Sequence, residues 1–167
     1  FLNQGGRLLG VGLKKEEADA LLPFEVAMTE AEHISTYFDP PTTASFLAGV
    51  GPADLHNRDP RALSLIAGGA MIFGNGVLAT ATNAPVVFCQ AAPWQFDHER
   101  NPGLKRTFRR TSFLLTRVLA NLGVAGETPL LDRFAQPLRA DERGRWLEGF
   151  YLDQPEEWDD PYRFFRW

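Results

Sequence analysis

The segment "APVVFCQ", residues 84–90, has no charge and no glycine, and sets Val86, Val87 and Phe88 in succession. A run this short, apolar and uninterrupted marks a strand covered on both faces, because a strand with one wet face alternates apolar and polar residues. A chain built around it needs sheet neighbours and a layer of structure over each face. The 167 residues, 44% hydrophobic and 23% charged, suffice to supply those layers within one domain.

Other segments supply the remaining elements. "RLLGVGL" (7–13) reads as a short strand after a Gly-Gly turn, and "KKEEADALLP" has helical character and stops at Pro23. A strand, a tight connection and a helix at this spacing favour an α/β unit. Residues 25–38 fit a strand followed by a helical turn. The Pro-, Gly- and Asp-rich stretch 39–61 is too long for a simple connection, so it is a functional loop or a packed excursion with short helical turns. Residues 62–82 read as two strands, with "FGNG" as a hairpin turn. The clearest helix is 102–122, with Asn101 as N-cap, Pro102 at the first position and Gly123 just past the end. Leu104, Phe108, Leu115, Val118, Leu119 and Leu122 form its apolar stripe, and Lys105, Arg106, Arg109, Arg110 and Arg117 cover much of the rest.

The expected fold is therefore α/β and flavodoxin-like. It has a mostly parallel sheet with strands at 7–13, 63–67 and 85–90, flanking helices, and an irregular aromatic C-terminal tail. Residues 1–126 form the domain, and 127–167 form an extension that packs on it or on a partner, with a short strand at "WLEGFYL". Tail aromatics such as Trp146, Phe150, Trp158 and Trp167 would leave a large apolar patch in water unless they dock or stack on sugars. The chain opens on Phe1, close to a buried strand, and reads as the C-terminal piece of something longer.

Charge and composition exclude several classes. The net charge of −4 gives no general attraction to nucleic acid or anionic membrane surfaces. No apolar run approaches the ~20 residues that span a bilayer. One cysteine excludes an intrachain disulfide. His33, His56 and His98 show no metal-ligand spacing, so neither metal nor cofactor is expected.

Four features bear on chemistry. Cys89 at the end of the apolar strand has the position of a nucleophile, with Asp97 and His98 as weak catalytic companions. A nucleophile elbow needs small neighbours, however, and Phe88 and Gln90 are large, which favours a buried structural thiol. "ADLHNRDPR" packs Asp54, His56 and Arg58 into one loop, a candidate ligand site or a loop stapled by its own Asp–Arg pairs. Trp94 and Gln95 follow the strand end, where α/β folds place ligands. Lys105 and Arg106 open the basic helix, where the helix dipole favours acids. They call for an anionic ligand or for the chain's own acids: Asp97, Glu99, or the "PEEWDDP" segment.

The runs "GGRLLGVGL", "FLAGVGPADLHNRDP", "APVVFCQAAPWQFD", "KRTFRRTSFLLTRVLANLGV" and "FYLDQPEEWDDPYRFFRW" resemble the C-terminal region of large bacterial carbohydrate-active proteins of the β-galactosidase-like, glycoside hydrolase type. The module looks like a class I glutamine amidotransferase-like domain. Its elbow signature is missing, since Cys89 lies between Phe88 and Gln90 and the only His-Glu is His98-Glu99. The resemblance implies a noncatalytic accessory domain serving interdomain packing or oligomerisation. Its partners would be upstream domains or a second copy, with carbohydrate a further candidate, and its place periplasmic or secreted. The alternatives are a hydrolase-type enzyme with a site at the 52–61 loop and the 89–99 segment, or a carbohydrate-binding module.

Overall fold

The computed structural model describes residues 1–57 and 59–124. The element order is β1 (Leu8–Val11), α1 (Lys15–Leu21), β2 (Ala27–His33), β3 (Arg61–Gly68), β4 (Met71–Phe73), β5 (Leu78–Thr80), β6 (Val86–Cys89) and α2 (Lys105–Asn121). Single 3₁₀ turns precede β1, β3 and α2, and another follows β6. Arg58, the residues beyond 124, the proposed extension 127–167 and the strand at "WLEGFYL" lie outside the described residues.

The apolar run forms β6, in which all four residues are buried. Its neighbours are β1, parallel, and β5, antiparallel, and β4 completes a sheet in the order β1-β6-β5-β4. β2 and β3 form a separate antiparallel pair. The expected flavodoxin-like, mostly parallel sheet is thereby corrected: in the four-stranded sheet only β1 and β6 run parallel. Connection length is the physical reason. A parallel crossover needs about a dozen or more residues, and the short segments joining β4 to β5 and β5 to β6 permit only antiparallel hairpins. A mixed sheet with both faces covered produces the same apolar run as a parallel one.

The alternation of β6 divides the core. Val87 and Cys89 join Leu78, Leu63, Leu65, Leu114, Val118 and the 47–55 excursion on one face of the sheet. Val86 and Phe88 join Ala79, Ala18, Leu22, Val26 and Ile66 on the other. The stretch 39–61 is thus a packed excursion whose Leu47, Val50 and Leu55 are core residues. α1 starts where Glu17 accepts the backbone N–H of Lys14 at 2.8 Å, and it stops as Leu22 turns extended before Pro23.

Three local expectations change. Residues 62–82 yield three strands instead of two, with "FGNG" in the turn between β4 and β5. That turn admits only glycine at position 76: its φ is +92°, and an added Cβ would lie 2.1 Å from the Ile66 carbonyl oxygen. The helical turn expected after β2 is absent, and residues 35–40 run without regular structure. The buried stripe of α2 is rotated from the expected one and takes in Thr107, Thr111, Leu114, Arg117, Val118 and Asn121. Thr111, Arg117 and Asn121 tolerate this burial because each donates to a carbonyl. Thr111 Oγ1 donates to Thr107 O at 3.0 Å, and Arg117 and Asn121 reach the excursion.

Candidate functional site

In an open α/β sheet the ligand-binding groups gather beyond the carboxyl ends of parallel strands. Here that place is the end of the β1–β6 pair, where Gly12 N–H donates to Cys89 O at 2.9 Å. Gln90, 1% exposed, comes next. Its Oε1 accepts from Leu13 N–H at 3.1 Å, and its Nε2 donates to Leu13 O at 2.8 Å and to Ser64 O. One side chain thus ties β6 to β1 and to β3. Gln95 repeats the pattern on a smaller scale, since its Oε1 accepts from Ala92 N–H at 2.9 Å and its Nε2 donates to Gln90 O at 3.1 Å. Both carboxamides serve backbone. Trp94, next to Gln95 in the chain, is 67% exposed.

Cys89 is fully buried in the core. Its thiol donates to Ala91 O at 3.3 Å, and burial pushes its pKa up to about 12. A catalytic thiol is instead held low by a cationic neighbour or a helix N-terminus. The companions lie elsewhere. Asp97 Oδ1 accepts the Arg100 N–H at 2.9 Å, and the His98 ring stands edge-on to Phe108 of α2, centroids 4.1 Å apart.

The 52–61 loop and the 93–98 segment both come against α2. Arg110 of α2 donates to His56 O at 2.6 Å, and Phe108 meets His98. The two segments also meet directly, where the Arg61 guanidinium lies 5.0 Å from the Phe96 ring centroid. Within the loop, Asp54 Oδ2 accepts the Gly51 N–H at 2.8 Å. Burial pushes the Asp54 carboxyl above its usual value, against the Gly51 hydrogen bond and the charge of Arg110. Asn57 brackets Asp59, accepting its N–H at 2.9 Å, and Asp59 pairs with Arg61 at 2.7 Å. The loop is tied by its own polar groups, one of them an Asp–Arg pair. Arg58 lies outside the described residues. Among those residues no group of three or more His, Cys, Asp or Glu could hold a metal ion, and no helix is long and apolar enough to cross a membrane.

Two anchors went unrecognised in the sequence. His33, fully buried, donates from Nε2 to Leu55 O at 2.7 Å and accepts at Nδ1 from Asn75 at 3.0 Å. It joins β2 to the 52–55 turn and to the β4–β5 turn, contacts between distant residues that no spacing rule reveals. Arg117 and Asn121 of α2 both reach Ala48 O, at 3.4 and 2.9 Å, and Asn121 also reaches Phe46 O. Their spacing from Leu114 and Val118 offered a signal, because i, i+3 and i+4 neighbours share a helix face. Against this geometry, no family model, no curated protein and no solved structure matches the chain.

Proposed function

We propose that the chain is a noncatalytic accessory domain of a carbohydrate-active, glycoside hydrolase-like protein, and that it serves packing against neighbouring domains or other copies. One observation carries the noncatalytic reading. At the strand ends where an α/β sheet presents reactive groups, Gln90 and Gln95 are turned onto the chain's own backbone and Cys89 is sealed in the core. A thiol held at about 12 supplies almost no thiolate at neutral pH. Support for the carbohydrate-active parent comes from the sequence runs that resemble the C-terminal regions of such proteins. The exposed Trp94 suits contact better than chemistry, since an indole offers apolar area and a single N–H.

The test is the reactivity of Cys89 in the folded chain. Iodoacetamide at pH 7 should leave the thiol unlabelled until denaturant is added. Labelling at the rate of a free cysteine peptide, in the absence of denaturant, would overturn the noncatalytic reading.

A further inference from the structure

Of the six asparagines in the chain only Asn75 is followed by glycine, in the "FGNG" turn between β4 and β5. Asparagine is a labile residue, because the backbone nitrogen of the next residue can attack its side-chain carbonyl carbon. A glycine, with no Cβ, leaves that nitrogen least hindered. The other five are followed by Gln4, Arg58, Ala84, Pro102 and Leu122, and a proline nitrogen has no proton to lose. Asn75 is an exposed residue, so burial alone does not hold the reaction off.

The fold instead occupies both reacting groups. Asn75 Nδ2 donates to Nδ1 of the buried His33 at 3.0 Å, and His33 is fixed in turn by its Nε2, which donates to Leu55 O at 2.7 Å. The Gly76 N–H donates to Phe73 O at 3.3 Å, and Gly76 O accepts from Ile66 N–H at 2.9 Å. The turn has little slack on either side, since a Cβ on Gly74 would collide with the Thr36 side chain and one on Gly76 with Ile66 O. While the turn is closed, the peptide between 75 and 76 lacks the room to swing its nitrogen onto Asn75 Cγ.

We infer that Asn75–Gly76 is a deamidation site that the folded turn keeps closed, with His33 as the positioning residue that holds the reactive amide. When the turn opens, Gly76 N loses its proton to solvent and bonds to Asn75 Cγ. The Cγ–Nδ2 bond breaks, and the amide nitrogen takes up a proton and leaves as ammonia. Water then opens the resulting imide at one of its two carbonyls, which yields an aspartate or an isoaspartyl linkage. Neither product restores the turn. The aspartate carboxylate has no hydrogen to donate to His33 Nδ1, and it adds one negative charge to a chain at −4. The isoaspartyl linkage lengthens the backbone by one atom beside Gly76, which lacks room even for a Cβ. Each opening that reacts is recorded covalently where β2, the 52–55 turn and the β4–β5 turn are tied together.

The experiment follows the whole chain at pH 8 by peptide mapping, with the mass gain of about 1 Da per conversion located by fragmentation. The samples are the folded parent, the parent in urea, and His33→Leu with its fold checked by circular dichroism. The parent in urea should convert at Asn75 ahead of the other five asparagines, and the folded parent at least about tenfold more slowly. Folded His33→Leu should convert several-fold faster than the folded parent. Hydrogen exchange at the Gly76 amide gives a second measure that needs no variant. The slowing of deamidation by folding should match the protection of that amide, because both report the same opening. Absence of conversion at Asn75 in urea overturns the inference, and so does a folded parent that reacts at the urea rate. So too does a folded His33→Leu that keeps the parent's rate, or deamidation that outpaces the opening of the Gly76 amide.

Discussion

Replacing Gln90 by Leu keeps a side chain of similar size in the core but removes three hydrogen bonds: from Leu13 N–H, to Leu13 O and to Ser64 O. At about 1 kcal/mol net for each bond, the loss is about 3 kcal/mol, provided the partly exposed Leu13 groups recover some hydration. In urea, with a slope of about 2 kcal/mol/M, the unfolding midpoint should fall by about 1.5 M. Gln90→Glu sharpens the test. One oxygen of the new carboxyl still accepts from Leu13 N–H, but the other faces two carbonyl oxygens and needs a proton to bond either. Burial and those acceptors raise its pKa in the folded chain above the ~4.3 of an unfolded glutamate. A raised folded pKa contributes stability that is fully present below the unfolded value and is lost as pH rises through the folded one. The Glu variant should therefore approach the parent at pH 4 and fall well below it at pH 7, while the deficit of the Leu variant stays nearly constant with pH. Urea titrations followed by circular dichroism at both pH values measure this. A Leu variant costing under about 1 kcal/mol, or a Glu variant that tracks it at every pH, would refute the assignment of Gln90 as the tie between β6, β1 and β3.

Three further outcomes follow from single groups. The Cys89 thiol is raised from 9.0 to about 12 on folding, so it stabilises the fold fully below pH 9 and loses that contribution as pH rises toward 12; Cys89→Ala should shrink the alkaline loss of stability in denaturant titrations across that range. Asp54 is also raised, so its ionisation costs stability as pH rises through its folded pKa. Asp54→Asn keeps an acceptor for Gly51 N–H and should gain on the parent between pH 3 and 7, whereas Asp54→Ala should lose the bond at a cost of about 1 kcal/mol; thermal melts along the pH series compare the three. Gly76→Ala combines a left-handed φ with a Cβ driven into Ile66 O and should cost more than about 2 kcal/mol, read as a drop in melting temperature.

Elements were more legible than their arrangement. β6 and α2 announce themselves because apolar runs and helix caps are local signals, and the excursion at 39–61 declares itself by length. Strand direction is carried by the connections instead. The brief segments on either side of β5 made the antiparallel order readable, yet the apolar run at 84–90 pointed to a parallel sheet because both arrangements bury such a strand completely. The helix stripe was misplaced for a related reason. Thr111, Arg117 and Asn121 look like solvent residues until the carbonyls that accept from them are known, and two of those belong to Phe46 and Ala48. At the strand end, Trp94 and Gln95 were picked out by position in the chain. That the Gln95 side chain faces inward while Trp94 faces out follows only from the fold of the 90–96 turn.

The pairing of β1 with β6 also sets an order of events. The Leu13–Gln90 contact that finishes this pair joins residues 77 apart, whereas β4 and β5 are joined by a short turn. Closing the longer loop costs roughly 2–3 kcal/mol more in chain entropy, since closure entropy grows with the logarithm of length. The β4–β5 hairpin can form early from local contacts, whereas β2 and β3 are joined only through residues 34–60, and β1 docks last, onto a β6 already held by β5. A chain of this topology should fold more slowly than its helix content suggests. During synthesis its first strand must wait, unpaired, until residues 86–89 have emerged.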